Sequence, residues 1–435
     1  MYAFCRPRRL QIPIPHRPPR GRHLRVLLHR AVRAFHARFA AGGPDSEDYG
    51  GGPDSEDYGA SDGYPIGDRS TFFRIPFLVG SHSHLDQIFE GRLIRGAGSP
   101  SHLSRVGAEP IFQYNFGGET HTLDDYFAHN PVTGLLVARG DSILIERYQY
   151  GRNDRHRFTS SSMAKTVTSM LVGIAITEGH IRSVDDPADA YVSALSGTEY
   201  GVSSLRHLLQ MSSGVRFVER YTGSDDVSRL SADTFQQVGA GGIEAVTPFN
   251  KRLRPSGTMF SYASVEPQVL GLVLRSPVGR SVADYMQERI WAPIGAEADA
   301  TWLIDRSGQE ATFCCINAVL RDYARFGLLL AQDGNWRGRQ IIPAAWIEEA
   351  TRVAPDQAHL RPGIASGYFG YGYQVWISPG ERRMFALLGV RGQAIFVDPA
   401  SRLVMVHTAV RKHSVDPGDR EAIALWLSIV RELAS

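Results

Sequence analysis

Residues 158 to 179 read FTSSSMAKTVTSMLVGIAITEG, and this stretch predicts a buried helix with a polar start. Thr159 and Ser160 are suited to the N-cap, and Gly179 is suited to the left-handed residue that closes a helix. The apolar residues recur at helical spacing, at Met163, Val167, Met170, Leu171 and Ile174. We interpret the rest of the chain as organised around this helix.

The first turn of the helix contains Ser162-Met163-Ala164-Lys165, in which a serine and a lysine are three residues apart. Residues three or four apart share one face of a helix, so the amine can take the proton of the hydroxyl. Ser161, four residues before Lys165, meets the same condition. Spacing alone therefore leaves two candidate serines.

Lysine is rare in this chain, which suggests that Lys165 has a specific task. The 47 Lys and Arg residues include only three lysines, Lys165, Lys251 and Lys412. Arginine keeps its proton near neutral pH, whereas a desolvated lysine can lose it and act as a base. A lysine on an apolar helix therefore indicates that deprotonation is required there.

The composition is that of a soluble globular protein. The 435 residues are 43% hydrophobic and 21% charged, enough for one large domain or two. No apolar run approaches the roughly 18 residues of a membrane span. The net charge of +2 combines ten Arg in residues 1–44 with seven acids in residues 45–62. The remainder is close to neutral, so we expect no nucleic-acid partner.

The cysteines and histidines predict neither disulfides nor a metal site. Cys5 is isolated, and the adjacent Cys314 and Cys315 are an unfavourable pair, because neighbouring cysteines rarely bridge each other. His82 and His84 lack a third clustered ligand. We therefore expect no metal and no cofactor. Cysteine usage and the absence of a clear signal peptide favour a cytoplasmic location.

The N-terminal region predicts an extension outside the folded domain. Residues 1–44 are rich in Arg and Pro; an apolar face within them could serve a membrane surface or targeting, but an unstructured extension is the simpler interpretation. Residues 42–50 and 51–59 are tandem copies of GGPDSEDYG, which cannot bury a core. We predict a disordered extension over residues 1–62, a connecting segment over 63–114 that packs on the domain, and a domain over 115–435.

The pattern of strands and helices predicts an α/β (α+β) fold. Two strand-like runs, residues 133–139 and 143–150, flank a turn, and strands return after Gly367. Between them, residues 180–350 are mostly helical in pattern. The predicted later elements are helices over 203–211, 282–291, 318–332, 344–352 and 418–434, and strands over 368–376, 385–388, 393–397 and 402–410. We expect an antiparallel sheet built from both ends of the chain, flanked by helices, with an inserted helical region.

Four motifs in order resemble those of the penicillin-recognising serine hydrolases. They are Ser162-Met163-Ala164-Lys165, the segment LLQMSSG at 208–214, Tyr262-Ala263-Ser264, and the segment GVRGQ at 389–393. The pattern is most similar to the branch with class C β-lactamases, family VIII esterases and 6-aminohexanoate-dimer hydrolases, with a β-lactamase/transpeptidase-like fold. An ordered set of four motifs is far more specific than any one of them.

The resemblance implies roles for individual residues. Ser162 would be the nucleophile, Lys165 its base or proton relay, and Tyr262 the acid/base for the leaving group. The backbone N–H groups of Ser162 and Val390 would form the oxyanion hole. A phenol beside a lysine ammonium is also expected to have a lowered pKa, which would suit Tyr262 to exchange protons.

Two departures from the class C pattern bear on the substrate. Ser264 stands where those enzymes have Asn, and Leu387-Leu388-Gly389 replaces their Lys-Thr-Gly. Loss of that lysine removes the usual partner of a lactam carboxylate, which disfavours efficient antibiotic hydrolysis. Arg391 is a candidate to replace the lost cation, so Ser264, Gly389 and Arg391 are candidate substrate-binding residues. The aromatic residues at 368–376 and the loop at 221–226 are further candidates, although packing explains them as well.

We therefore predict a serine hydrolase that cleaves a small-molecule amide or ester through an acyl-enzyme. One alternative is a peptidoglycan-directed D-alanyl carboxypeptidase or esterase, which would act outside the cytoplasm. Another is a non-catalytic binding protein on the same scaffold, although all three side chains of the site are present. The sequence predicts no particular oligomeric state.

Overall fold

The computed structural model describes residues 55–416 and 418–434, and its strands and helices follow in chain order. The strands are β1 (Gly91–Ile94), β2 (Ser104–Arg105), β3 (Gln113–Phe116), β4 (Glu119–Thr122), β5 (Val132–Arg139), β6 (Ser142–Tyr148), β7 (Arg157–Thr159), β8 (Ala300–Leu303), β9 (Ile316–Val319), β10 (Asn335–Trp336), β11 (Arg339–Gln340), β12 (Gly370–Tyr371), β13 (Trp376–Ile377), β14 (Phe385–Gly389), β15 (Gln393–Asp398) and β16 (Leu403–Ala409). The α-helices are α1 (Leu78–Ser83), α2 (Leu85–Ile88), α3 (Leu123–His129), α4 (Ala164–Thr177), α5 (Leu205–Leu209), α6 (Asp226–Phe235), α7 (Ile243–Val246), α8 (Val265–Val278), α9 (Val282–Met286), α10 (Leu320–Ala331), α11 (Ala344–Ala350) and α12 (Gly418–Leu433).

An eight-stranded sheet joins both ends of the described chain. Its order is β12-β13-β14-β15-β16-β5-β6-β2, and every pair is antiparallel except the short parallel contact of β2 with β6. The pairing of β16 with β5 brings Leu403 opposite Arg139 and His407 opposite Leu135. The predicted sheet shared by N- and C-terminal strands is confirmed.

Both faces of this sheet are covered by helices. Side chains of β5 alternate: Leu136 belongs to the core that includes α4 and α10, whereas Leu135 and Val137 belong to the core that includes α12. This alternation is the two-residue period of a strand buried on both sides. On the α12 side, Trp426 stacks on Phe396 with ring centroids 5.8 Å apart. The predicted C-terminal helix is therefore one layer of the fold.

A second sheet of four strands was not predicted. Its order is β1-β8-β9-β7, so strands β8 and β9 interrupt the region over 180–350 that the pattern indicated as helical. The helices predicted in this region are present but shorter. Helix α9 continues into a turn of π-helix over Gln287–Trp291. Short buried strands such as Ile316–Val319 are hard to separate from a helix start by pattern alone.

The same sheet changes the start of the central helix. Phe158 pairs with Ala318 across β7 and β9, so residues 158 and 159 are extended and do not cap a helix. The helix begins as a 3₁₀ turn over Ser161–Met163 and continues as α4. Its end agrees with the prediction, since Gly179 is left-handed with φ 76°. Tertiary strand pairing outweighed the local capping preference of Thr159 and Ser160.

The predicted disordered extension includes residues that are folded. Residues 55–62, assigned to it from sequence, form 3₁₀ turns over Ser55–Tyr58 and Ala60–Asp62. Tyr58 is fully buried and packs on Tyr150, with ring centroids 5.5 Å apart. The second copy of the nine-residue repeat thus contributes its tyrosine to a small core. The other predictions for residues 1–54, including the basic amphipathic segment and Cys5, lie outside the described residues.

Cys314 and Cys315 form a disulfide with each other. The expectation that these neighbours stay unpaired is wrong, because Cys315 adopts a left-handed conformation (φ 70°) that turns the chain between them. The part of the argument for a cytoplasmic location that rested on cysteine usage therefore loses its support. Within the described ranges, no helix has both the length and the apolar character needed to cross a bilayer.

Candidate active site

Ser162 and Lys165 meet at the start of the central helix. The Lys165 Nζ lies 2.8 Å from Ser162 Oγ and also donates to the Phe313 carbonyl oxygen at 2.8 Å. Ser161 is instead in a left-handed conformation (φ 43°), and its carbonyl accepts the Cys315 N–H at 3.2 Å. Of the two serines that the spacing left open, the geometry therefore joins Ser162 to the lysine.

Lys165 is buried, and burial changes its proton affinity. Only 2% of the residue is exposed. Burial lowers the pKa of Lys165 to about 8, and the nearby Glu219 carboxylate opposes that shift. Desolvation disfavours the charged ammonium, so the neutral amine is accessible close to neutral pH. The expectation of a lysine that can deprotonate agrees with this environment.

Tyr262 completes a compact cluster with these two residues. The Lys165 Nζ lies 4.9 Å from the centroid of its ring, and the ring stacks on Trp376 at 5.4 Å. Burial raises the pKa of Tyr262, the Glu219 carboxylate adds to the increase, and a hydrogen bond with Ser162 opposes it. The expected lowered pKa is wrong, because burial and the Glu219 carboxylate both favour the neutral phenol. Tyr262 is a protonated phenol, suited to donate a hydrogen bond or a proton.

Glycine at position 389 lets β14 approach the serine turn. A Cβ on Gly389 would lie 2.7 Å from the Ser160 carbonyl oxygen and 3.0 Å from the Ser162 backbone nitrogen. Such contacts are too close for any side chain. Backbone N–H groups in the first turn of a helix have no intrahelical partner, which applies to Ser162. Val390 follows directly and lines the same cavity as Ser162.

Two of the three candidate substrate-binding residues have partners inside the protein. The backbone N–H and Oγ of Ser264 donate to the Glu219 carboxylate at 2.7 and 2.8 Å. The Arg391 Nη1 donates to the carbonyl oxygens of Arg411 and Lys412, and its guanidinium lies 5.1 Å from the Phe73 ring centroid. Neither side chain lines the cavity, whereas Gly389 does.

Two groups beside Lys165 were not indicated by any sequence pattern. Glu219 accepts hydrogen bonds from Ser264 and, at 2.6 Å, from the Tyr221 hydroxyl, and its charge acts on both Lys165 and Tyr262. It lies two residues before the loop at 221–226 but belongs to no recognisable motif. The Phe313 carbonyl is a backbone group, which residue identity does not reveal.

A cavity of about 380 Å³ opens from Ser162 and Tyr262. Its walls are mostly apolar and include Tyr221, Phe369, Trp376 and Leu388. Two of the aromatic candidates at 368–376 therefore face the substrate space, whereas Tyr371 and Tyr373 are buried in the core. Leu388 lies in the segment that replaces Lys-Thr-Gly, which leaves this wall without a cation. The described part of the chain holds no group of three or more His, Cys, Asp or Glu suited to a metal ion.

A family model described as Beta-lactamase matches residues 123–428, which is more than half of the chain and includes every residue of the site. The chain belongs to the beta-lactamase family. This beta-lactamase family protein is 27% identical over 306 residues to a 6-aminohexanoate-dimer hydrolase from Paenarthrobacter ureafaciens, a match that covers 69% of the chain and 78% of the relative. It is a hydrolase of the beta-lactamase serine hydrolase superfamily.

Two solved structures illustrate the fold that this chain shares. The "Putative 6-aminohexanoate-dimer hydrolase from Bacillus anthracis" superimposes with a TM-score of 0.75 at 23% identity, over 84% of this chain and 97% of that one. A family VIII carboxylesterase superimposes with a TM-score of 0.55 at 17% identity, over 71% of this chain and 94% of that one. The β-lactamase/transpeptidase-like fold expected from the motifs is confirmed.

Proposed function

We propose that this protein hydrolyses an amide or ester bond of a small molecule through an acyl-enzyme on Ser162. The observation that supports this most strongly is the 2.8 Å contact of Ser162 Oγ with a buried Lys165 whose pKa is lowered to about 8. A serine hydroxyl is a weak nucleophile until a neighbouring base removes its proton. A neutral lysine amine at hydrogen-bond distance is such a base.

In the acylation step, the neutral Lys165 amine accepts the Ser162 proton as Oγ attacks the substrate carbonyl carbon. The negative charge on the carbonyl oxygen is stabilised by the backbone N–H groups of Ser162 and Val390. Tyr262 donates its phenolic proton to the leaving nitrogen or oxygen as the bond to carbon breaks. The Lys165 ammonium then returns a proton to the Tyr262 oxygen, which leaves the acyl group on Ser162 and the amine neutral.

In the deacylation step, a water molecule attacks the acyl carbon. The water gives one proton to the Lys165–Tyr262 pair, and the same pair returns a proton to Ser162 Oγ as the acyl–oxygen bond breaks. The released acid and the restored hydroxyl balance the atoms of the water. The raised pKa of Tyr262 is consistent with this scheme, since it keeps the phenol protonated until the leaving group departs.

The apolar wall favours acyclic substrates over lactam antibiotics. Leu387 stands where the resemblance places a lysine, and Arg391 directs its guanidinium to backbone carbonyls. A lactam carboxylate would therefore meet no cation beside the oxyanion hole. Similarity to a 6-aminohexanoate-dimer hydrolase supports linear amides, together with esters, as the substrate class.

Turnover of a small substrate panel tests this proposal. The panel comprises 4-nitrophenyl esters of short acids, a linear dimer of an ω-amino acid, and a chromogenic cephalosporin. We expect wild-type protein to hydrolyse esters and linear amides faster than the cephalosporin, and Ser162→Ala to hydrolyse none. Equal turnover by wild type and Ser162→Ala, with both proteins folded, would contradict the proposal.

A further inference from the structure

The cavity that contains Ser162 extends to a buried arginine, Arg411, which follows β16. Ser162, Gly392 and Arg411 all line this cavity. The Arg411 side chain is only 1% exposed. Arginine is rarely buried unless its charge and its N–H groups are paired. A buried guanidinium on the wall of a substrate-sized cavity therefore requires an explanation.

Part of this guanidinium is unused within the described protein. Its Nη1 donates to the Asp419 carboxylate. Its Nε and Nη2 are buried and have no hydrogen-bond partner among residues 55–416 and 418–434. These two nitrogens form one edge of the planar group, and that edge matches the two oxygens of a carboxylate. Buried donors without partners cost free energy, which an anionic ligand would remove.

Two glycines allow the backbone to pack closely against the guanidinium. A Cβ on Gly392 would lie 3.1 Å from Arg411 Nε, and a Cβ on Gly418 would lie 3.1 Å from its Cζ. A side chain at either position would crowd the guanidinium. Gly392 and Arg411 both line the cavity.

The neighbouring polar groups do not supply a competing positive charge. His407 Nδ1 donates to the Gly392 carbonyl oxygen at 2.6 Å, and its Nε2 accepts from the Tyr126 hydroxyl at 2.9 Å. Burial, followed by the charge of Arg411, lowers the pKa of His407 to about 3, so the imidazole is neutral. A ligand at this end of the cavity would meet the charge of Arg411, partly balanced by Asp419.

The chain segment that links the surroundings of Ser162 to those of Arg411 is short. Gly389 lies against the Ser162 turn and Gly392 lies against Arg411, and three residues of chain span at most about 11 Å. The cavity wall also includes Leu388, Val390 and Ile423. Such a surface fits methylene groups and offers few polar partners.

We propose that Arg411 binds a carboxylate at the end of the substrate remote from the scissile bond. The protein would thus select linear amides or esters that end in a carboxylate, held by the Nε and Nη2 edge. This proposal rests on the proposed function, because it assumes that the bond is cleaved at Ser162. The cation for a substrate carboxylate would then be Arg411 and not a lysine at the Lys-Thr-Gly position.

Matched substrates test the proposal on either side of the scissile bond. One series pairs 4-nitrophenyl monoesters of linear dicarboxylic acids with 4-nitrophenyl alkanoates of equal length. The other pairs hexanoyl esters of ω-hydroxy acids with hexanoyl esters of alkanols. We expect kcat/KM to favour the carboxylate by about 10- to 100-fold at one chain length in one series. Equal values for both members at every length in both series would overturn the proposal.

Variants then assign the preference to Arg411. In Arg411→Gln the ratio of the two kcat/KM values should fall to about one, whereas the exposed Arg431→Gln should keep the wild-type ratio. Asp419→Asn should raise the ratio, because the charge of Arg411 is then no longer balanced by a carboxylate. A preference that survives in Arg411→Gln would overturn the proposal. If Arg411→Gln does not fold, an unchanged or lower ratio in Asp419→Asn would overturn it. If the wild-type protein cleaves neither the carboxylate-ended ester nor its uncharged counterpart in any pair, that result would contradict the proposed function instead.

Discussion

The proton affinity of one buried lysine determines when the proposed mechanism operates. At a pH below its pKa of about 8, Lys165 is mostly a charged ammonium, which cannot accept the Ser162 proton. We therefore expect kcat/KM for a neutral ester to rise with pH and to level off above about 8. The measurement is a pH–rate profile between pH 5 and 10 in buffers of constant ionic strength. A profile that is flat across this range would contradict a lysine base.

Replacing the same lysine tests the need for a neutral amine. Lys165→Arg keeps a positive charge at this position but cannot deprotonate near neutral pH. We expect kcat/KM to fall at least about a thousandfold while the melting temperature indicates a folded protein. Lys251→Arg is the matched control and should retain activity. Near-normal activity of a folded Lys165→Arg variant would exclude the proton-transfer role.

Glu219 should adjust the pKa of the lysine. Its carboxylate favours the charged ammonium, so removing the charge lowers the pKa of Lys165 further. In Glu219→Gln we expect the rising limb of the kcat/KM profile to move to lower pH by about one unit. The exposed Glu348→Gln should leave the limb in place. A shift to higher pH, or none, would show that Glu219 does not act on Lys165.

For individual residues, the sequence predicted which side chains meet but not the direction in which a pKa shifts. The three-residue spacing of Ser162 and Lys165 on a helix predicted their contact, because helical geometry depends only on local sequence. The direction of the Tyr262 pKa shift depends on burial and on Glu219, which is 43 residues away in the chain. Long-range packing of this kind cannot be derived from the local pattern.

The contact between β14 and the 3₁₀ turn at Ser161–Met163 holds the proposed oxyanion hole together. In Gly389→Ala, the new methyl group would clash with the Ser160 carbonyl and the Ser162 nitrogen, which would push the strand from the turn. We expect kcat to fall about 100-fold with a smaller change in stability. Gly107→Ala, where nothing lies within 4 Å of the added Cβ, is the control. Wild-type kcat in Gly389→Ala would show that the approach of β14 is not required.

Regular elements were predictable where one periodicity extended over many residues. The hairpin of β5 and β6, the strands β14 to β16 and helix α12 have clear periods of two or 3.6 residues. Strands β7 and β9 have three and four residues, and they form because they pair with each other across the chain. Their pairing moved the helix start from Thr159 to Ser161, an effect that capping rules do not include.

The described chain folds as two large core clusters with a small third one at its N-terminal end. In that third cluster, Tyr58 packs with Tyr150 and Val410, and its hydroxyl is buried with no partner in the described protein. We expect Tyr58→Ala to lower stability by about 3 kcal/mol, because it leaves a cavity. Tyr58→Phe should leave stability unchanged or raise it, since it removes an unpaired hydroxyl. Thermal melts of both variants check this. An unchanged melting temperature in Tyr58→Ala would show that the segment around Tyr58 is not part of the fold.

Labelling of the serine tests the central claim most directly. Wild-type protein is treated with a fluorophosphonate at pH 8, and the site of the adduct is mapped by peptide mass spectrometry, with Ser162→Ala and Ser161→Ala as the two comparisons. The mechanism predicts a single adduct on Ser162, retained in Ser161→Ala and absent from Ser162→Ala. An adduct on Ser161, or labelling that persists in Ser162→Ala, would contradict it.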